Sequence, residues 1–285
     1  MAEIGKIGVV GAGTMGNGIA HVCARAGLDV VLYDLEYALL NRALETIEKN
    51  LAREAAKGKL TEDQAKDARA RIVPAIDLNA LGRCQVVIEA ATEKFAIKAG
   101  IFHDLDRILP AGAILATNTS SISITKIAAE TKRPERVIGM HFFNPVPVMQ
   151  LVEVIRGLAT SQETFAEVEA LAVRLGKSPV EVNDAAGFVS NRVLMPLINE
   201  AAYSVMEGVA TAEAVDKVFV LGMAHPMGPL TLADFIGLDV CVDIMRVLAE
   251  GLGSPKYNPC PLLVRMVDAG WLGRKSGRGF YTYSQ

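Results

Sequence analysis

Two hydrophobic rhythms divide the chain. Through roughly the first 183 residues, short β-branched runs alternate with longer stretches whose apolar positions recur at helical spacing. "KIGVVG" and "DVVLYD" predict strands on either side of the helix "TMGNGIAHVCARAG", with Gly27 placed to end it. Residues 36–70 are rich in Ala, Glu, Lys and Arg and predict a helical pair split near "GKLTEDQ", where Thr61 is an N-cap and Gln64 its capping-box partner. "VVIEAA", "AILATN" and "VIGMHFF" read as buried strands, with the amphipathic helix "EKFAIKAGIFHDLDRIL" between the first two. "LVEVIRG" and "SPVEVN" follow as strands around the helix "TFAEVEALAVRLG". Such alternation implies an α/β domain, with a mainly parallel, doubly wound sheet covered on both faces.

After "NDAAGFVSNR" the strand signals nearly vanish. Residues 187–207, 211–221, 228–252 and about 259–269 predict helices, punctuated by "HPMGP", "GSPKYNPCP" and "GRKSGRGF". A boundary near Asp184 therefore separates a Rossmann-type domain, residues 1–183, from a smaller all-α domain, residues 184–285, and the helical pair after Asp34 becomes a hairpin inserted in the first. The tail "GWLGRKSGRGFYTY" reads as an ordered closing loop with aromatics available to pack it down.

Composition narrows the function classes. A 51% hydrophobic content supports a sizeable core, and a net charge of -3 without charge blocks argues against nucleic acid or an anionic membrane as the main partner. No signal-peptide pattern and no membrane-length apolar run are present. The four cysteines, Cys23, Cys84, Cys241 and Cys260, are far apart and without a CxxC pair. They read as free buried thiols of a cytoplasmic protein, with no metal site expected. The apolar faces of the C-terminal helices suggest a homodimer, or else fill the domain's own core.

The first chemical motif is "VVGAGTMGNG". Gly11 permits a tight turn out of the strand, Gly13 lets a pyrophosphate approach the backbone, and Gly16 lets the helix pack closely on the strand. With Ala12, Thr14 and Met15 they form a loop at a helix N-terminus, whose free N–H groups and dipole suit phosphates. The next strand ends in Asp34, near the expected spacing of about 20 residues past the glycines. A carboxylate there accepts ribose hydroxyls and repels a 2′-phosphate, so NAD is the expected cofactor, favoured over NADP. Ligands of open α/β sheets sit at the carboxyl ends of strands. That rule selects Glu93, Lys98, Asn118, Ser120 and Asn144 to line the nicotinamide half, although Glu93 and Lys98 taken alone also fit solvated charges at a helix start, and "NTSS" also fits a capping turn.

Hydride transfer from an alcohol needs a base, and histidine is the usual one. Of the four histidines, His21 and His103 fall on helices, and His225 precedes Pro226 in a turn. His141 alone ends a strand at the cofactor edge. Glu153 lies in the strand that returns after "NPVP" and can meet His141 as the carboxylate that orients it. A hydrogen-bonded core histidine is the alternative.

Taken together, "GAGTMGNGIA", "NTSS", "HFFNPVPVMQLVEV", "GFVSNR" and "HPMGPLTLADFIGLD" resemble the L-3-hydroxyacyl-CoA dehydrogenase family, most closely its bacterial branch acting on 3-hydroxybutyryl-CoA, from residue 4 to about 283. The resemblance implies interconversion of an (S)-3-hydroxyacyl-CoA with its 3-ketoacyl-CoA by NAD. It implies His141 as general base, Glu153 as its orienting partner, Ser120 as partner of the substrate hydroxyl and Asn191 as ligand of a substrate oxygen. It adds Lys275 to the cofactor contacts and places the CoA phosphates on Arg53 and Lys57, one helical turn apart. Competing readings are a dehydrogenase of a free 3-hydroxy acid, which would use a catalytic lysine not found here, a UDP-sugar dehydrogenase with Cys241 or Cys260 as nucleophile, and a non-catalytic NAD-binding relative.

Overall fold

The computed structural model describes residues 4–284. They fall into two compact units, divided between Asp184 and Ala185.

The first unit is built on one eight-stranded sheet. In chain order its elements are β1 (Lys6–Val10), α1 (Thr14–Arg25), β2 (Asp29–Tyr33), α2 (Tyr37–Ala56), α3 (Glu62–Ala70), β3 (Ile72–Ala75), β4 (Val86–Glu89), α4 (Phe95–Ile108), β5 (Ile114–Thr117), α5 (Ile124–Ala128), β6 (Val137–Phe142), β7 (Leu151–Arg156), α6 (Gln162–Arg174) and β8 (Ser178–Asn183). The strand order is β3-β2-β1-β4-β5-β6-β7-β8. The chain reverses its order of addition between β1 and β4, which opens a crevice at the strands' carboxyl ends. The pairs from β3 through β6 are parallel; β7 turns back antiparallel to β6, and β8 runs parallel to β7. β4 and β5 are buried along their whole length, which explains their unbroken apolar runs.

The inserted hairpin forms as the pattern predicts. Its turn is fixed by a complete capping box: the Thr61 hydroxyl accepts from the Gln64 N–H, and the Gln64 side chain accepts from the Thr61 N–H at 2.8 Å. Two elements escaped the pattern. β3 has four residues, contains Pro74 and starts just after α3, so it has little periodicity to read; as an edge strand it tolerates a proline. α5 is a five-residue helix started by the Ser123 hydroxyl, which accepts from the Lys126 N–H.

The second unit is helical: α7 (Ser190–Met206), α8 (Ala212–Gly222), α9 (Pro229–Ile236), α10 (Leu238–Leu252) and α11 (Pro261–Asp268). The single helix expected over 228–252 is two, because Gly237 at φ +106° breaks it. Leu230, Leu238, Cys241, Val242, Met245 and Leu263 fill its core. Two buried carboxylates hold the closing loop. Asp234 accepts from the Phe280 and Tyr281 N–H groups and the Tyr283 hydroxyl, and Asp216 accepts from the Tyr281 hydroxyl at 2.8 Å. Among the described residues, no helix is long and apolar enough to cross a membrane.

Candidate active site

The glycine loop joins β1 to α1, and each glycine meets a different constraint. Gly11 sits at φ +98°, and a Cβ there would lie 2.7 Å from the Ala90 carbonyl oxygen. A Cβ on Gly16 would lie 1.7 Å from the Gly11 carbonyl oxygen, so the first turn of the helix and the loop leaving β1 approach as closely as backbone allows. A Cβ on Gly13 would meet nothing within 4 Å. That open space, in front of the N–H groups of the first turn of α1, fits a pyrophosphate. Beside it runs a crevice of about 620 Å³, walled by Gly11, Gly13, Tyr33, Asp34, Thr92 and Ile97 among others. The Asp34 carboxylate accepts from the Ala12 N–H at 2.6 Å and the Leu35 N–H at 2.7 Å, so it is aimed at the loop before any ribose arrives.

At the next strand ends lies a network that the sequence pattern showed only in part. Lys98, only 1% exposed, does not reach solvent as a helix-start charge would: its ammonium contacts both oxygens of Glu89 at 2.8 and 2.9 Å and lies 3.4 Å from Glu93. Glu89 closes β4 fully buried and also accepts from the Thr117 hydroxyl and the Ala91 N–H. It stands inside the apolar run "VVIEAA", where the hydrophobic pattern hides it, although a carboxylate in a buried strand is itself a signal that a cation is near. Glu93 in turn gathers the loop after β5. It accepts from the Thr119 hydroxyl, the Ser120 and Ser121 N–H groups and the Ser121 hydroxyl, with the Ser120 hydroxyl at 3.3 Å. Burial pushes the Glu93 carboxyl up, but the Lys98 charge and these hydrogen bonds outweigh it, and the group ends below the usual carboxylate range. Asn118 accepts from the Phe142 N–H at 2.8 Å and so ties β5 to the end of β6. Asn144 is exposed in the turn beyond.

His141 and Glu153 are Cα partners across the β6–β7 ladder. Nδ1 and Oε2 are 2.7 Å apart, with His141 8% and Glu153 3% exposed. A carboxylate at that distance fixes the proton on Nδ1 and leaves the lone pair on Nε2. The Phe143 ring lies tilted against the imidazole with centroids 4.7 Å apart.

The other expected residues divide by location. Arg53 and Lys57 are exposed at the C-terminal end of α2, with Arg53 3.3 Å from Asn50. Asn191 lies in the first turn of α7 and Lys275 pairs with Asp239 at 2.6 Å; both belong to the helical unit. His103 is exposed, His225 packs edge-on against Phe219, and His21 is buried 3.4 Å from Glu54. Cys241 and Cys260 are buried, and burial pushes the Cys241 thiol up to about 12 and the Cys260 thiol also upward, which opposes the thiolate a nucleophilic role requires.

Comparison with known proteins identifies the family. Residues 6–185 match the 3-hydroxyacyl-CoA dehydrogenase NAD binding domain, and residues 187–283 match the C-terminal domain of the same family. The chain is 59% identical to a probable 3-hydroxybutyryl-CoA dehydrogenase of Bacillus subtilis, over 99% of both chains. It is 55% identical to a 3-hydroxybutyryl-CoA dehydrogenase of Bradyrhizobium diazoefficiens, over 99% of this chain and 96% of that one. The crystal structure of (S)-3-hydroxybutyryl-CoA dehydrogenase from Ralstonia eutropha superposes with a TM-score of 0.97 at 51% identity, covering 99% of this chain and 100% of the other.

Proposed function

The chain belongs to the 3-hydroxyacyl-CoA dehydrogenase family, and from that premise we propose that it is an NAD-dependent enzyme interconverting (S)-3-hydroxybutyryl-CoA and acetoacetyl-CoA through the His141–Glu153 pair. The observation that carries the mechanism is the 2.7 Å contact between Nδ1 and Oε2, in strand register beside the strand ends that follow the glycine loop.

Bound NAD supplies the hydride acceptor for oxidation, and NADH the donor for reduction. The protein's own residues handle the proton and the geometry. With Glu153 on Nδ1, Nε2 of His141 takes the proton of the substrate's 3-hydroxyl during oxidation, and the imidazolium so formed is stabilised by the carboxylate. In reduction the same nitrogen returns the proton to the oxygen. The Ser120 hydroxyl is assigned to the substrate hydroxyl, and Asn191 to a substrate oxygen. Gly11, Ala12, Gly13, Thr14, Met15 and Gly16 are assigned to the pyrophosphate and Asp34 to the adenosine ribose. Glu93, Asn118, Asn144 and Lys275 are assigned to the rest of the cofactor, with Lys98 acting from behind through Glu93. Arg53 and Lys57 are assigned to the CoA phosphates, whose binding energy helps hold C3 at the reacting distance. The enzyme is assigned to the cytoplasm, where its buried thiols stay reduced, and to a homodimer formed through the helical unit.

The test is NADH consumption with acetoacetyl-CoA, then with longer 3-ketoacyl-CoA esters and with the free acid acetoacetate. The expected result is the highest kcat/KM with acetoacetyl-CoA and little turnover of the free acid. Equal kcat/KM for the free acid would replace this reading with a hydroxy-acid dehydrogenase.

A further inference from the structure

The turn that joins His141 to Glu153 rests on a buried charge. Between β6 and β7 the chain makes a short helical turn in which the Val148 and Met149 N–H groups both donate to the Pro145 carbonyl. Lys177, just before β8, is only 7% exposed, and its ammonium donates to the Met149 carbonyl at 2.7 Å and to the Val146 carbonyl. Among the described residues, no carboxylate lies within ion-pairing distance of it. The turn is also wedged against the cofactor helix: a Cβ on Gly18 of α1 would lie 2.7 Å from the Val146 Cβ. Val146 is therefore held twice, by the lysine at its carbonyl and by the close approach of Gly18 at its side chain.

An ammonium is an expensive choice for a site that needs only to be filled. Burying a charge without an ionic partner costs more than packing an apolar side chain of the same length. Burial, assisted by the Arg25 charge and opposed by Glu54 and Cys23, brings the Lys177 ammonium down to about 8. What the ammonium supplies that an apolar chain cannot is a pair of directed hydrogen bonds to two carbonyls of one turn. That turn sets the β6–β7 register, and a slip by one residue would send Glu153 to the other face of the sheet from His141.

Resting on the function proposed above, we propose that Lys177 is a positioning residue for the reaction: by holding the Val146 and Met149 carbonyls it fixes the turn, and with it the register and distance of the His141–Glu153 pair. It touches neither substrate nor cofactor, and acts through the geometry of the pair.

The experiment replaces Lys177 with Met, which keeps the stem and removes the donors, and with Arg, which keeps charge and donors. For Lys177→Met the expected result is a roughly 10–100-fold fall in kcat with acetoacetyl-CoA, of the size that small misplacements of reacting groups produce. Its KM for NADH should stay within about twofold, because the cofactor contacts are untouched. The proton NMR resonance of the His141 Nδ1–H bonded to Glu153, followed in the wild type, should broaden or move upfield, and Lys177→Arg should recover part of kcat. Gly18→Ala pushes on the same turn through Val146 and should give the same split between kcat and KM. A Lys177→Met enzyme with wild-type kcat and an unmoved resonance overturns the proposal. So does a loss of rate that only tracks the fraction of protein able to bind NADH. If Lys177→Met does not fold, Gly18→Ala decides by the same two readouts. His141→Gln separates the two levels: a normal rate in that variant sinks the proposed function itself, whereas an inactive His141→Gln beside an unaffected Lys177→Met sinks only the role of Lys177.

Discussion

His141 and Glu153 are separated by twelve positions in the chain and by 2.7 Å in space, and a neutral substitution at either one tests the proton chemistry directly. His141→Gln removes the proton acceptor, so kcat should fall roughly 10²–10⁴-fold while NADH still binds; steady-state rates beside a fluorescence titration of NADH check both halves. Glu153→Gln should also lower kcat strongly, because the imidazolium formed in the reaction loses its partner. Asp34 carries a second residue-scale prediction. Its carboxylate is held at the loop by the Ala12 and Leu35 N–H groups, where a 2′-phosphate would meet a fixed negative charge. Asp34→Ala should narrow the preference for NADH over NADPH, read as the ratio of kcat/KM values; an unchanged ratio would remove the aspartate from cofactor selection. Single residues were unevenly legible in the sequence. The His–Glu meeting was readable because a proline turn and a two-residue strand period left few ways for the chain to return. Glu89 was not, because its significance lies in Lys98, nine positions on, turning inward from α4 instead of out to solvent.

Elements were legible wherever their pattern ran long enough to repeat. The long helices of both units and seven of the eight strands follow from periodicity, whereas β3 and α5, at four and five residues, complete little more than one repeat of any pattern. The break at Gly237 is a backbone event without a hydrophobic signature, so two helices read as one. The α2–α3 hairpin was predicted outright, and α2 carries the clearest prediction at this scale. Arg53 and Lys57 are exposed, one turn apart, and free to meet a phosphate group only through solvent-facing contacts. Charge-assisted contacts contribute about 1.5–3 kcal/mol each when well formed, and less where exposed. The Arg53→Ala, Lys57→Ala double variant should raise KM for acetoacetyl-CoA, more at low salt where screening is weak, and leave a truncated thioester without the nucleotide unaffected. Equal KM values for the full ester in variant and wild type would take both residues out of the site.

For the whole molecule, the carboxylates set the acid side of stability. In Glu54, burial pushes the carboxyl up, but hydrogen bonding and charge from His21 and the Arg25 charge prevail, and the group titrates below its ordinary value of 4.5, as Glu93 does. A group whose pKa is lower folded than unfolded releases its proton more readily in the fold, so its stabilisation is present above the ordinary carboxylate range and is lost as pH falls through the lower folded value. Thermal unfolding followed from neutral pH downward should show Tm falling below about pH 4.5, less steeply in Glu54→Gln. Association is the remaining property of the whole. The helical unit closes its core with Leu230, Leu238, Val242 and Leu263, yet α8 leaves Val218 56% and Leu221 72% exposed, with Met223 just past its end at 56%. The sequence allowed those apolar positions either to fill the unit's own core or to meet a second copy; the first use is already satisfied by other residues. An exposed apolar face of this kind is the usual mark of a protein contact, and in a symmetric dimer each substitution acts on both sides of the interface. For the homodimer proposed above, Val218→Glu with Leu221→Glu should therefore give a monomer by light scattering, with the helical circular dichroism unchanged because neither side chain supports the core. A double variant that scatters like the wild type would show that the subunits meet elsewhere or not at all.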